Sequence, residues 1–175
     1  ELGGVYTPLN IDSALLFYEK AYELSEGINY PVFLYKSTEK IGIVNYYKGN
    51  FNKAIELFEK AIEGYKEVNS LEGLSSVYNN IGITYARIGK YDISHEYLIK
   101  ALDIDLQIGD KEQITICYTN LGTVSRKIGN KLKALEYFND ALIIAEEIND
   151  SAAIGGCLNS IAAIHYYDNN FQKAL

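Results

Sequence analysis

The side chains in this sequence best suited to chemistry are ones that hold rather than cleave. Asn80 and Asn120 stand forty residues apart. An amide offers a hydrogen-bond donor and an acceptor together, so a row of amides can hold an extended backbone without reading its side chains. Lys40, Arg87, Arg126 and Lys127 add positive charge nearby in the pattern. The groups that make and break bonds are scattered. His95 sits among polar neighbours and reads as solvated, while His165 takes the place Tyr85 holds in its own repeat and reads as packed and hydrogen-bonded. There is no His/Cys cluster at metal-ligand spacing, no glycine loop that would cradle phosphates and no nucleophile motif. No catalytic residues, metal or cofactor are therefore expected.

What positions these side chains is a repeat. Asn80-Ile81-Gly82, Gly89, Ser94 and Ala101 return forty residues on as Asn120-Leu121-Gly122, Gly129, Ala134 and Ala141. Forty residues back they are Ile41-Gly42, Gly49, Ala54 and Ala61, and a weaker copy closes the chain at Ile161-Ala162, Asn169-Asn170-Phe171 and Ala174. No insertion or deletion breaks the register, so every feature is read against that period.

Bulk properties agree. The 175 residues suit one short array, and 48% apolar residues can fill a continuous core. Two prolines and no long charge run argue against linkers. No apolar run reaches the length of a membrane span, so no membrane contact is expected of this segment. A net charge of −7 repels phosphate backbones and makes nucleic acid an unfavourable partner. The chain opens on Glu1 and contains no methionine, so a missing native start is expected and the compartment stays open. Cys117 and Cys157 are also forty apart. Helices stack about 8–10 Å apart whereas a disulfide needs Cα atoms within about 7 Å, so both cysteines read as small core residues.

Each unit reads as two helices. First helices start near 30, 70, 110 and 150, with Ser70, Asp110 and Asp150 as N-caps and Pro31 on the first helical position. They run to about 48, 88, 128 and 168, and Gly49, Gly89 and Gly129 supply left-handed turns. Second helices follow, capped by Asn10, Asn50, Asn130 and Asn170 with Lys90 as the exception, and end near 26, 68, 108 and 148. Residues 1–10 read as irregular. Residues 1–28 form a partial unit, 29–68, 69–108 and 109–148 are full units, and 149–175 is truncated, leaving the apolar back of 151–168 for a further segment or a second chain to cover. Small residues recur where axes must approach: Gly42, Gly82 and Gly122 are expected to face Ala54, Ser94 and Ala134, and larger residues there would overpack. Glu and Asp residues are expected on outer faces, spaced with Lys.

The order Leu/Ile-Gly, then Gly, an aromatic, Ala, an aromatic and Ala resembles the tetratricopeptide repeat over residues 11–175. The unit is forty residues rather than the usual thirty-four, no Trp opens the first helix, Lys131 replaces an aromatic, and Ala162 and Asn169 replace glycines. The long unit, with Asn before Ile/Leu-Gly, is similar to repeats of bacterial peptide-pheromone regulators, bacterial sensor kinases and motor light chains. The resemblance implies an all-α fold, a right-handed superhelical solenoid of antiparallel helix pairs whose first helices line a concave groove for extended peptides or a partner's helix.

Projected by the repeat, the groove holds Lys36, Glu39, Lys40, Ile43, Tyr46 and Tyr47, then Ser76, Asn79, Asn80, Ile83 and Arg87. The next units add Ile116, Thr119, Asn120, Thr123, Arg126 and Lys127, then Asn159, Ser160, Ala163, Tyr166 and Tyr167. This set carries five cations and one anion in an acidic chain, which would focus a positive potential. The peptide-contact set expected from it is Lys40, Tyr47, Asn79, Asn80, Ile83, Arg87, Asn120, Thr123, Arg126, Lys127 and Asn159. Two plainer roles stand beside it: late basic residues complement a helix dipole, and the asparagines can bond a neighbouring helix within the stack. The expected function is a non-enzymatic interaction module for an acidic or C-terminal peptide, within a larger regulator. The alternative is a spacer that self-associates, as a homo-oligomer, through its terminal helices.

Overall fold

Forty-residue periodicity becomes helix–turn–helix structure because each unit carries its own stop signals. The computed structural model describes residues 8–28 and 30–172, with side chains from 11 to 166. It divides into two units of four helices each. The first holds α1 (Pro8–Gly27), α2 (Pro31–Tyr47), α3 (Phe51–Glu67) and α4 (Leu71–Arg87). The second holds α5 (Tyr91–Ile108), α6 (Lys111–Ile128), α7 (Lys131–Glu147) and α8 (Ser151–Gln172). Within each unit every helix packs on the next, and α2 also touches α4. Turns this short force neighbours to run antiparallel.

The stops are chemical. Gly49, Gly89 and Gly129 take φ of 80°, 78° and 91°, which an L side chain adopts at a cost. After second helices the left-handed residue is Asn69, Gly109 or Asn149; asparagine is the residue other than glycine that visits this region most readily. Ser70 accepts from Gly73 N at 3.2 Å, Asp110 from Gln113 N at 3.1 Å, and Asp150 from Ala152 N and Ala153 N at 3.0 Å each. Each satisfies backbone donors that the helix cannot. Pro31 occupies the first turn of α2.

Several boundaries differ from the sequence reading. Helix α1 already begins at Pro8, so residues 8–10 are helical and Asn10 lies inside the helix rather than capping it. Residues 1–7 lie outside the described residues. Asn130 caps α7 through Lys133 N, but Asn50 makes no cap bond and donates to Asn45 Oδ1 at 3.3 Å instead. Helix α8 runs unbroken through Asn169 and Asn170, where a turn and a new helix were expected; no glycine stands at that junction to take the left-handed turn.

The small residues serve aromatic rings. A methyl on Gly42 would lie 2.6 Å from the Phe58 ring, and one on Gly122 would lie 2.8 Å from the Phe138 ring. The nearest neighbours of these glycines are thus rings of the second helix, and the alanines expected opposite them are fully buried. Gly64 lies against Tyr35 and Gly73 against Tyr65 in the same way. In the second unit Ala134 and Phe138 of α7 meet Ile161 and Ile164 of α8. Those isoleucines face α7; His165 is exposed, contrary to the packed position expected. Leu158 and Tyr166 are exposed as well. Among the described residues no helix is long and apolar enough to cross a membrane.

Candidate functional site

The polar centre of the first unit is Glu39 on α2. Sequence projection put it on a groove face, yet it is 3% exposed. Its Oε1 accepts from Ser76 Oγ at 2.6 Å and Asn80 Nδ2 at 3.1 Å, both from α4, and its Oε2 accepts from Tyr65 Oη of α3 at 2.8 Å. A buried carboxylate needs such donors because burial strips it of water. Three helices are thereby tied to one side chain. Burial, and then the adjacent carboxylate, hold the Tyr65 hydroxyl well above the usual tyrosine range, so it stays a donor.

The faces around this node follow helical spacing. Lys36, Lys40, Ile43 and Tyr47 recur along α2 at intervals of four, three and four, and Ser76, Asn80, Ile83 and Arg87 do so along α4. Lys36, Tyr47 and Arg87 are exposed, while Lys40, Asn79, Asn80 and Ile83 are half-buried. Tyr46 packs edge-on between Tyr47 and Phe51, with ring centroids at 5.3 and 5.7 Å. The bond from Asn80 to Glu39 spends one amide hydrogen within the stack; a primary amide has a second N–H and a carbonyl oxygen besides.

In the second unit Asn120 and Thr123 are half-buried on α6, Arg126 and Lys127 are exposed in its last turn, and Asn159 is exposed on α8. Arg87 likewise sits in the last turn of α4, so each of these cations also complements a helix C-terminus. Thr123 Oγ1 donates to the carbonyl of Thr119 at 3.0 Å, which leaves its oxygen as an acceptor only. The helices α6 and α8 approach at Thr119 Oγ1 and Cys157 Sγ, 3.9 Å apart.

Among the described residues two acids are buried, against the outer-face expectation: Glu39, and Asp105 of α5, which is 2% exposed and accepts from Cys117 Sγ at 3.3 Å. Burial, with Asp105 beside it, pushes the Cys117 thiol up, away from thiolate chemistry. Both cysteines are buried and unbridged. His95 is not simply solvated: its Nε2 lies 3.4 Å from Tyr137 Oη, and the Tyr137 ring lies 6.1 Å from Tyr118. Among the described residues no group of three His, Cys, Asp or Glu could hold a metal ion.

Glu39 was missed as an anchor because its partners come from two other helices. One signal existed. At its repeat position the other units carry Asn79, Thr119 and Asn159, so an acid appears only where Tyr65 can meet it.

A family model described as tetratricopeptide repeat matches residues 35–107 and 73–147. Among curated proteins none matches the chain. Similar solved structures include BtubC (BKLC) from P. vanneervenii, at 19% identity and TM-score 0.77, covering 90% of this chain and 66% of that one. A Rap protein complexed with Competence and Sporulation Factor aligns at 20% identity and TM-score 0.79, covering 95% of this chain and 47% of that one. The Rap conjugation gene regulator of plasmid pLS20, in complex with the Phr* peptide, aligns at 21% identity and TM-score 0.71, covering 86% and 42%. At these identities the likeness is one of fold, and the chain spans less than half of either Rap protein.

Proposed function

This chain belongs to the tetratricopeptide repeat family, and on that footing we propose that it is an interaction module for an extended, acidic or C-terminal peptide. It would serve as the sensory or scaffolding part of a larger regulator. The observation that carries this reading is charge. Lys36 and Arg87 are exposed on first helices of one unit and Arg126 and Lys127 on a first helix of the other, in a chain of net −7. The acid that sequence projection placed among them, Glu39, is turned inward and bonded to three donors. What remains on those faces attracts carboxylates, and Asn80 and Asn120, on the same helices as Arg87 and Arg126, would hold a peptide backbone. The peptide-bound Rap regulator supports the reading through likeness of fold.

The test uses short fluorescein-labelled acidic peptides, with free and with amidated C-termini, in anisotropy titrations. Arg87→Glu combined with Arg126→Glu weakens binding by at least about tenfold, roughly 1.4 kcal/mol, with helix content unchanged. Equal affinity in the charge-reversed protein removes the electrostatic basis of the reading.

A further inference from the structure

We propose that Glu39 is a positioning residue for peptide binding: it holds the Asn80 amide one way round and so sets the direction in which a peptide backbone lies across α4. The inference rests on the peptide-binding reading above and adds a polarity to it.

The two ends of an asparagine amide are alike in size and opposite in chemistry, with N–H donors at one and an acceptor at the other. An asparagine met by water alone turns over freely, and each orientation shows a ligand a different edge. Asn80 has no such freedom. Its Nδ2 donates to Glu39 Oε1 at 3.1 Å, and among the described residues Glu39 is the hydrogen-bond partner of that amide. An ionised carboxylate only accepts. The other groups that reach it, Ser76 Oγ at 2.6 Å and Tyr65 Oη at 2.8 Å, donate as well. A turned-over amide would set oxygen against oxygen at a residue 3% exposed, out of the reach of bulk water. The other repeats carry no such instruction. At the place of Glu39 they have Asn79, Thr119 and Asn159, side chains that accept as well as donate and would receive an amide either way round.

Chain direction follows from this orientation. In an extended peptide the N–H and C=O of one residue point to the same side, N–H first along the chain. With its nitrogen end held toward Glu39 of α2, Asn80 offers its oxygen on the side away from α2 and its remaining N–H on the nearer side. A backbone paired with both runs toward α2. Its C-terminal end then approaches the helix that carries Lys36 and Lys40, three residues before and one after Glu39. Apart from the committed Glu39, α2 holds no acid to oppose a carboxylate there.

Paramagnetic broadening tests this. The probe is an acidic pentapeptide, Glu-Glu-Ala-Glu-Glu with a free C-terminus, carrying a nitroxide-bearing cysteine before its first or after its last residue. Extended, the five residues span roughly 17 Å, so the two ends are told apart. In the wild type the C-terminal label broadens the Lys36 and Lys40 amide signals and the N-terminal label leaves them sharp. Glu39→Gln, which keeps the volume and lets the Asn80 amide turn over, still binds the peptide but makes the two labels equivalent at those amides. A residue that only stabilised the fold would change affinity and leave the direction alone. Asn80→Ala, which removes the amide and leaves Ser76 and Tyr65 on Glu39, loses the preference likewise and carries the test should Glu39→Gln lose helix content. Labels that act equally in the wild type, a reversed preference, or a preference that survives the substitutions overturns the proposal and leaves peptide binding standing. A pentapeptide that does not bind at all, by anisotropy or by broadening, overturns the peptide reading and this inference with it.

Discussion

Asn80 on α4 donates to the Glu39 carboxylate on α2 at 3.1 Å. One interaction thus joins the amide that the repeat singles out to the acid that the repeat misplaces. The same carboxylate holds Ser76 and Tyr65, so the face carrying Lys40, Ile83 and Arg87 rests on a buried polar anchor. Removing that anchor strands donors rather than merely deleting a contact.

Glu39→Ala therefore destabilises the chain by about 2–4 kcal/mol, since each stranded buried donor costs about 1–3 kcal/mol; Glu39→Gln, which keeps one acceptor, costs about 1 kcal/mol. Urea unfolding followed by circular dichroism measures both. The alkaline limb follows from Tyr65, whose hydroxyl is held up first by burial and then by Glu39. A folded value raised above the unfolded one contributes stability that is fully present below pH about 10 and lost as pH rises through the folded value. Above that pH the wild type loses stability more steeply than Tyr65→Phe. Parallel curves would show that Tyr65 ionises alike in both states.

Gly42→Ala sets two effects against each other. Alanine is the better helix former by about 1 kcal/mol, but its methyl would lie 2.6 Å from a Phe58 ring that is itself 1% exposed, and overpacking costs about 1–3 kcal/mol. The substitution lowers stability in the wild type and raises it in a Phe58→Leu background. A double-mutant cycle with coupling near zero would dissociate the glycine from the ring.

Ser94 is fully buried and its hydroxyl has no hydrogen-bond partner. The repeat places Ala54 and Ala134 at the same position. Ser94→Ala stabilises the chain by about 1 kcal/mol, because the desolvation cost of the hydroxyl disappears while the volume hardly changes. Thermal unfolding reads it; a lower midpoint would mean that the hydroxyl is satisfied in solution.

What the sequence determined by itself is whatever repeats or acts locally. Gly49, Gly89 and Gly129 marked turns because only a residue without Cβ takes their φ freely, and Ser70, Asp110 and Asp150 marked helix starts because a cap bonds the next few amides. Asn69 and Asn149, which the sequence reading did not single out, stand at the repeat position of Gly109 and take the same left-handed turn. Family membership followed from that register. The cationic character of the first-helix faces was visible as well, since helical spacing alone assigns residues to a face. Tertiary structure decided what lies between helices. That Glu39 turns inward depends on Tyr65, Ser76 and Asn80 arriving from two other helices, and no spacing along one helix encodes such a meeting. That Gly42 and Gly122 accommodate Phe58 and Phe138 depends on where a ring reaches, which is a matter of side-chain length and packing, not of period. Burial of Asp105 against Cys117 belongs to the same class: a short-range polar contact assembled from parts the sequence keeps apart.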